Sequence, residues 1–385
     1  MRIGYSFWGF LGPGIVDTPD GGRSHRRTLV DGLKSLGHQV VFLQRDRDLH
    51  EAEVDLRERY LWDRGLPELD ALLLEWRWPI PGRNVGTVCG APGHTCDLHR
   101  QDELVAHYTL ERHTPTVLWD KDRRLAADDP LRRLANVAVC EPALRPTPGA
   151  ASLLFPVDDA TLDRADPVAL AGVPRWLPLV YIGNQYDRDQ AFDTFFAPAA
   201  ARFPHRVAGK WPRKGRWPHV RFTGRCPFPE VERLYRSAVT TVLLLPDRYA
   251  AVGQMTQRLF EAALAGCLPI TPTTIVDAAR FTPPILHASS GDQVITRIEQ
   301  LLGLVGTRAH VDLLAECLRR LERFRLSRQL ATVSRLLERL TTPTARSTEV
   351  PGRHVHKGGD DRCRRSTVLC RPPAGRLGRT VAGGR

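Results

Sequence analysis

Short apolar runs alternate with helical patterns through the first 340 residues, and this alternation leaves few folds open. The first unit has a strand at 2–8, a glycine-rich loop at 9–22, a helix at 24–36 and a second strand at 39–44. Ser24 is the expected N-cap of this helix, and Gly37 ends it. Because a strand, a helix and a strand within about 40 residues form a βαβ unit, the pattern predicts a parallel sheet.

The same alternation continues in two blocks separated by residues 142–176, which are rich in Pro, Ala and Asp. Further strands are predicted at 71–74, 116–119, 137–140, 179–182, 220–223, 241–245 and 268–271. Helices are predicted at 190–202, 229–237, 258–265, 292–303 and 308–340. We therefore predict an α/β fold with two Rossmann-like, doubly wound domains facing across a cleft, at 1–170 and 171–340. A basic, disordered tail is expected at 341–385.

Charge and cysteine content narrow the function classes. Of the net charge of +12, residues 341–385 hold +7, from nine Arg and one Lys against three acidic residues. No nucleic-acid partner is therefore expected for the folded part, and the tail as a nucleic-acid or membrane arm remains an alternative. The eight cysteines show no C-x-x-C pair and no zinc-like spacing, so no metal site is predicted. No apolar run approaches a membrane span, and a cytoplasmic location is expected.

The segment 253–270 is the most informative for function. Arg258 and Glu261 lie three residues apart on a predicted helix whose other residues are mainly apolar. The two side chains are either a solvated ion pair or a buried charged pair that requires a ligand. A ligand that offers both anionic oxygens and hydroxyl groups, such as a nucleotide sugar, would satisfy both charges.

Two further arginines follow predicted strands. Arg188 comes after the strand at 179–182, and Arg225 follows the strand at 220–223. Because ligands bind beyond the carboxyl ends of parallel strands, Arg188, Arg225 and Arg258 are expected on one side of the cleft. Guanidinium groups match the oxygens of a diphosphate, although each Arg is also explained as surface charge. Glu261 would then accept hydrogen bonds from ribose hydroxyls.

The glycine loop before the first helix offers a second anion site. Consecutive Gly21 and Gly22 allow close approach of a ligand to backbone N–H groups at a helix N-terminus, and Arg23, Arg26 and Arg27 add positive charge. A plain turn with solvated arginines is the alternative. The loop lacks the ending of a Walker motif and fails the spacing of the dinucleotide fingerprint.

Acid and base candidates lie on the N-terminal wall of the predicted cleft. Asp120 and Asp122 follow the strand at 116–119, and Glu75, Asp17 and His25 occupy similar positions. A side chain of this kind accepts a proton in general base catalysis. Each also has an ordinary explanation as an N-cap or a salt-bridge partner.

The chain resembles the GT-B glycosyltransferases, of the group-1 type and the CgeB-like branch, over about residues 1–335. The resemblance rests on four segments: PDGGRSH at 19–25, YIGNQYDRDQAF at 181–192, RFTGRCPFPEVERLYRSAVTTVLLLP at 221–246 and QRLFEAALAGCLPI at 257–270. It implies sugar transfer from a nucleoside diphosphate sugar, UDP- or dTDP-linked, to an acceptor hydroxyl, with no metal and no cofactor.

The resemblance also implies residue roles. Glu261 would bind the donor ribose, Arg188 and Arg258 the diphosphate, and Gly21 and Gly22 would approach the donor phosphate or sugar. If the enzyme inverts, Asp120 is the first choice for the base and His25 the second. If it retains, the departing phosphate takes the proton. Gly253 occupies the position of a usual second glutamate and leaves the stereochemistry open, and Asn184 stands where an Arg is common.

The acceptor is the least constrained part of the resemblance. The composition resembles that of proteins from high-GC actinobacteria. The chain also resembles glycosyltransferases of streptomycin biosynthesis, which implies a guanidino-cyclitol phosphate as the acceptor and a role in making aminoglycoside antibiotics. Asp17 and Asp20 would suit the guanidinium group, and Arg23, Arg26 and Arg27 the phosphate. The alternatives are a cell-envelope or polysaccharide glycosyltransferase and a nucleotide-sugar epimerase or phosphorylase on the same fold.

Overall fold

The computed structural model describes residues 1–14, 22–86 and 94–342, all within one compact unit, Met1–Pro343. Gly21, Asp17 and Asp20 lie outside the described residues, as does the predicted tail beyond 342. The described chain contains two parallel sheets flanked by helices. The prediction of an α/β fold with two doubly wound domains is confirmed.

Seven strands form the first sheet: β1 (Arg2–Ser6), β2 (Gln39–Phe42), β3 (Leu61–Trp62), β4 (Ala71–Glu75), β5 (Thr116–Trp119), β6 (Val137–Glu141) and β7 (Ala151–Ser152). They pair in parallel in the order β3-β2-β1-β4-β5-β6-β7. The strand order reverses beside β1, so a crevice opens there at the carboxyl ends of β1 and β4.

Six strands form the second sheet: β8 (Leu177–Ile182), β9 (His205–Ala208), β10 (Phe222–Gly224), β11 (Ala238–Val242), β12 (Leu268–Pro272) and β13 (His287–Ala288). Their order is β10-β9-β8-β11-β12-β13, and all pairs are parallel. β9 and β13 were not predicted, because His and Arg interrupt the apolar run of one and the other is only two residues long. The central β8 and β11 are almost wholly buried.

Within the described residues, thirteen α-helices flank the sheets: α1 (Arg23–Ser35), α2 (Arg47–Ala52), α3 (Asp97–Leu104), α4 (Asp159–Asp163), α5 (Pro167–Ala171), α6 (Asp189–Ala191), α7 (Ala197–Ala200), α8 (Phe228–Arg236), α9 (Asp247–Ala250), α10 (Arg258–Leu264), α11 (Gly291–Leu304), α12 (Arg308–Arg320) and α13 (Leu326–Thr341). The prediction of Ser24 as an N-cap is wrong, because Gly22 occupies that position and α1 starts one residue earlier.

Two predicted helices are interrupted in the structure. The helix expected at 190–202 consists of α6, a π-helical segment at Phe192–Phe196 and α7. The helix expected at 308–340 is divided by a 3-10 turn at Leu321–Phe324. This turn redirects the chain, so that α13 packs against α1, β5 and β6 of the first sheet rather than against the second. The last helix of the described chain therefore returns to the N-terminal half.

Gln329 on α13 fastens this return crossing. Its side chain is buried; the amide oxygen accepts a hydrogen bond from the backbone N–H of Leu154 at 2.9 Å, and the amide nitrogen donates to the carbonyl of Arg323 at 2.7 Å. Nearby, the backbone of Val157 bonds to that of Phe324 and Leu326. The linker between the sheets is thus held by α13.

No helix among the described residues is long and apolar enough to cross a membrane.

Replacing Gln329 with Leu is expected to destabilise the protein by about 1–3 kcal/mol, because the buried N–H of Leu154 and carbonyl of Arg323 lose their partner. The measurement is the free energy of urea-induced unfolding. Replacement of the exposed neighbour Arg328 with Gln serves as the control and is expected to change little. A Gln329→Leu protein as stable as the parent would contradict the role of this side chain.

Candidate functional site

A cavity of about 430 Å³ lies between the carboxyl ends of the two sheets. One wall comes from the loops after β1, β4 and β5 and from the start of α1. The other wall comes from the end of β8, the loop that follows it, and the first turns of α8 and α10. Its principal lining residues are Trp8, Gly22, His25, Arg77, Trp78, Arg83, Lys121, Asp122, Phe155, Gly183, Asn184, Arg188, Phe228, Tyr249, Arg258 and Glu261.

Arg188 lies on the second wall, and backbone carbonyls hold its guanidinium. Nε donates to the carbonyl of Leu244 at 3.2 Å, and one terminal nitrogen donates to the carbonyls of Asn184 at 3.1 Å and Tyr186 at 2.7 Å. The residue is only 7% exposed. Burial and the neighbouring positive charge of Arg258 lower the pKa of Arg188.

Arg258 begins α10 and reaches back to the end of β8. Its Nε donates to the carbonyl of Ile182 at 2.7 Å, and a terminal nitrogen donates to the Thr256 hydroxyl at 3.2 Å. Gly183 makes this approach possible, because an added Cβ there would lie 2.6 Å from the Arg258 guanidinium nitrogens. The glycine that ends β8 therefore has a steric role in the site.

Two adjacent cations are thus buried on one wall. Among the ion pairs of the described residues, none includes Arg188 or Arg258, and the hydrogen bonds given above hold both guanidinium groups through neutral oxygens. Burying charge without a counterion is costly. A dianionic group bound between them would offset that cost, and a diphosphate has the matching oxygens.

Glu261 lies one turn after Arg258 on α10 and faces the start of α1. Burial raises the pKa of Glu261, while the Ser24 hydroxyl and the charge of Arg258 act to lower it. Glu261 lines the main cavity and also a larger groove of about 960 Å³ between α1 and α8. A carboxylate in this position, beside the two cations, can accept hydrogen bonds from ligand hydroxyls.

The opposite wall carries His25 and Gly22 at the start of α1. The His25 ring stacks on Phe155 with ring centroids 4.2 Å apart and meets the edge of Trp119 at 5.6 Å. Both His25 and Gly22 line the cavity. The structure therefore places His25 across from the arginine pair.

Arg26 and Glu75 have a structural role that differs from the predicted ones. Arg26 donates to both carboxylate oxygens of Glu75 at 2.9 Å, and Lys121 pairs with the same carboxylate at 2.5 Å. Burial would raise the pKa of Glu75, but the two cations lower it to about 2. The carboxylate is fully buried and neutralised, so Glu75 is not a base, and the Arg26 charge is not available to a phosphate.

Asp120 does not line the main cavity. Both of its carboxylate oxygens accept backbone hydrogen bonds, from Arg124 at 3.0 Å and Leu125 at 2.8 Å. The side chain faces a separate recess, and burial raises its pKa. Asp120 therefore shapes the loop after β5, whereas Asp122, two residues later, lines the main cavity.

Arg225 is likewise absent from the lining of the main cavity. It follows β10, the outermost strand of the second sheet, whereas Arg188 follows the central strand β8. The structure thus brings Arg188, Arg258, Glu261, Gly22 and His25 together and leaves Arg225 and Asp120 outside.

Sequence reasoning missed an aromatic and cationic part of the first wall. Trp8 follows β1, and Arg77 and Trp78 follow β4, so the rule that ligands bind beyond strand ends would have found them. The Arg83 guanidinium lies 4.8 Å from the centroid of the Trp8 ring. The indole rings and arginines together form a surface that suits a ring with polar substituents.

Hydrogen bonds connect the two walls beside the cavity. The Tyr249 hydroxyl donates to Asp122, the Gln254 amide donates to the carbonyl of Lys121 at 2.7 Å, and Arg248 donates to the carbonyl of Asp122 at 3.0 Å. Tyr249 and Gln254 are buried. The loop after β5 is therefore held against α9, and Asp122 keeps a fixed place in the site.

Replacing Glu261 with Gln is expected to raise the unfolding temperature of the ligand-free protein at neutral pH. A carboxyl group whose pKa is raised by folding holds its proton more tightly in the folded state, so its ionisation destabilises the folded protein. The advantage of Gln shrinks as pH falls through the folded-state pKa and vanishes below the unfolded value of about 4.3.

The measurement is the unfolding temperature of both proteins across pH. Replacement of the exposed Glu299 on α11 with Gln is the control and is expected to have little effect at any pH. A Glu261→Gln protein less stable than the parent at neutral pH would show that this carboxylate is stabilised in the free site.

Comparison with known proteins agrees with this geometry. The protein-family model described as "Glycosyl transferase-like" matches residues 188–334, which contain Arg188, Arg258 and Glu261. Comparison of the sequence with curated proteins finds no significant match.

Several solved structures share the fold. T4 phage β-glucosyltransferase with its UDP-glucose substrate is 11% identical with a TM-score of 0.58, covering 89% of this chain and 100% of that chain. AviGT4, a glycosyltransferase involved in avilamycin A biosynthesis, is 14% identical with a TM-score of 0.53, covering 88% and 97%. A glycosyltransferase from Rickettsia africae is 11% identical with a TM-score of 0.54, covering 89% and 99%. The fold is GT-B, and with the family match over its second half the chain is a glycosyltransferase.

Proposed function

We propose that this enzyme transfers a sugar from a UDP- or dTDP-linked donor to a hydroxyl of a small-molecule acceptor. The observation that carries the proposal is the buried pair of Arg188 and Arg258 beside Glu261. A nucleoside diphosphate supplies the anionic oxygens for the arginines and the ribose hydroxyls for the carboxylate. T4 phage β-glucosyltransferase and an α-glucosyltransferase, two structural neighbours, bind UDP-glucose, which supports the same class of donor.

Bond breaking in this site is electrostatically assisted. As the bond between the anomeric carbon and the diphosphate oxygen breaks, negative charge develops on the diphosphate next to Arg188 and Arg258. Fixed positive groups stabilise that charge without reorganisation during the reaction. Because the two guanidinium groups supply the compensating charge, we propose that transfer does not require Mg²⁺ or Mn²⁺, although one T4 phage structure contains UDP with Mn²⁺.

We propose that His25 is the general base that accepts the proton of the acceptor hydroxyl. It lines the cavity across from the arginines, and the Phe155 and Trp119 rings fix its orientation. The acceptor oxygen forms the new bond to the anomeric carbon while its proton passes to the imidazole. Direct displacement of this kind inverts the configuration, whereas transfer of the proton to the departing phosphate accompanies retention.

The acceptor class follows from the first wall. Trp8 and Trp78 line the cavity, and Arg83 and Arg77, which lie over these rings, add positive charge. We propose a hydroxylated ring that carries an anionic group, of which a guanidino-cyclitol phosphate in aminoglycoside antibiotic biosynthesis is one example. The likeness to AviGT4 supports an antibiotic pathway. DNA, which the β-glucosyltransferase among the structural neighbours modifies, is the competing acceptor class.

Replacing Arg188 or Arg258 with Gln is expected to weaken UDP or dTDP binding by about 10- to 150-fold, since a hydrogen bond to a charged group contributes about 1.5–3 kcal/mol. Uridine or thymidine, which lack the diphosphate, are expected to bind as they do to the parent. Calorimetric titration measures both, and Arg225→Gln is the matched control with unchanged binding. Equal weakening in the Arg225 variant, or no binding of any nucleoside diphosphate by the parent, would overturn the donor site.

Replacing His25 with Gln is expected to lower kcat by about 10²- to 10⁴-fold, with the Kd for the nucleoside diphosphate unchanged. Steady-state assays measure kcat, single-turnover assays measure the transfer step itself, and NMR of the product determines the anomeric configuration. Asp122→Asn is the comparison variant. If the kcat of His25→Gln stays within about threefold of the parent value and the product keeps the anomeric configuration of the donor, His25 is not the base. The departing phosphate then accepts the proton.

A further inference from the structure

A cluster of three metal-ligating side chains lies outside the donor site. His94 and Cys96 immediately precede α3, and His99 is in its first turn. One ligand atom from each, two imidazole nitrogens and one sulfur, lie within 4.8 Å of one another. We propose that His94, Cys96 and His99 bind one Zn²⁺ ion, a site that the donor chemistry neither requires nor explains.

The spacing and distances fit such a site. Cys96 and His99 are three residues apart at the start of a helix, so their side chains share one face. Tetrahedral Zn²⁺ with bonds of about 2.0 Å to nitrogen and 2.3 Å to sulfur places ligand atoms roughly 3.3–3.8 Å apart. Side-chain rotation closes the remaining distance, and His94 and Cys96 precede the helix, where χ angles are less restricted.

The ligand types select the metal. Imidazole nitrogen and thiolate sulfur suit Zn²⁺ and other borderline or soft cations, whereas Mg²⁺ and Mn²⁺ prefer carboxylate, carbonyl and water oxygens. The site is therefore distinct from one for a divalent cation on the diphosphate of the donor. Three protein ligands leave a fourth coordination position for water. Cys96 and His99 are exposed, so an ion has access.

The surroundings connect this site to the wall that we assign to the acceptor. The backbone N–H of Thr95 donates to the carbonyl of Arg83 at 2.9 Å, and Asp97 pairs with Arg77 at 3.1 Å. Thr95 also donates to Asp97 at 2.6 Å. Two residues that lie between the ligands therefore hold the two arginines that line the cavity. A bound Zn²⁺ fixes this segment and, through it, the Arg77 guanidinium and the backbone of Arg83.

The test measures metal binding by the full chain and does not depend on an enzymatic assay. Purified protein is freed of metal and titrated with Zn²⁺, and Co²⁺ is used as a spectroscopic probe because a thiolate ligand gives it a charge-transfer band. The variants are Cys96→Ser and His99→Gln, with Cys226→Ser and His107→Gln as controls of the same residue types elsewhere. A Cys363→Ser and Cys370→Ser double variant removes the cysteines of the C-terminal segment, where His354 and His356 add further ligand types.

We expect the chain to bind one Zn²⁺ ion. Its affinity is expected to fall more than about 100-fold in the Cys96 and His99 variants, since loss of a residue that only supports a metal ligand already costs 10- to 100-fold. The affinity is expected to stay unchanged in all three controls. The Co²⁺ charge-transfer band is expected to vanish in Cys96→Ser. Binding that survives both ligand variants, or that is lost only in the Cys363 and Cys370 variant, would overturn the proposal.

A kinetic readout then tests the connection to the acceptor wall. Removal of Zn²⁺ is expected to raise the KM for the acceptor while the Kd for the nucleoside diphosphate stays unchanged. This part rests on the proposed function, whereas the binding experiment does not. Metal binding without any effect on acceptor KM would limit the ion to a local structural role and would overturn the connection.

Discussion

The burial of two like charges, Arg188 and Arg258, on one wall of the cavity is the constraint on which the site depends. Two like charges out of water are unfavourable, and in the described chain carbonyl and hydroxyl oxygens accept their hydrogen bonds, while the Tyr181 ring lies 5.6 Å from the Arg258 guanidinium. The fold tolerates them because the carboxyl ends of β8 and β11 supply carbonyls at the right positions, those of Ile182 and Leu244. In the proposed function, this wall is therefore organised before the donor arrives, and an anionic ligand gains the interaction that the free protein lacks.

The topology brings the two walls to one cleft. Parallel strands in both sheets end at the same cavity, so each connecting loop adds a side chain to it. The return of α13 to the first sheet and the contacts of Tyr249 and Gln254 with the loop after β5 hold the walls together. Asp122 is positioned by this connection rather than by its own strand. For this reason Asp122 lines the cavity, whereas Asp120, only two positions earlier, does not.

The pattern of apolar runs predicted the fold well, and the site in part. β5 was predicted to the residue, and Arg258 and Glu261, proposed from a charged pair on an otherwise apolar helix, both line the cavity. Ligands bind beyond the carboxyl ends of parallel strands, and this principle identifies the residues that follow each strand. It does not predict where their side chains point. Asp120 turns back to cap its own loop, and Arg225 follows an edge strand, far from the central crevice. Neither fact is visible in the local sequence.

Ion pairing differs between the two walls of the cavity. On the first wall, Glu75 pairs with both Arg26 and Lys121, and Asp97 pairs with Arg77, so carboxylates offset part of the positive charge. On the second wall the arginine pair has no such partner among the described residues. Under the proposed function, the diphosphate is drawn to the second wall, and the sugar is directed toward Trp8 and Trp78. Because the proposed acceptor contacts lie on loops after β1 and β4, this proposal lets acceptor preference change there without altering the residues proposed to hold the nucleotide.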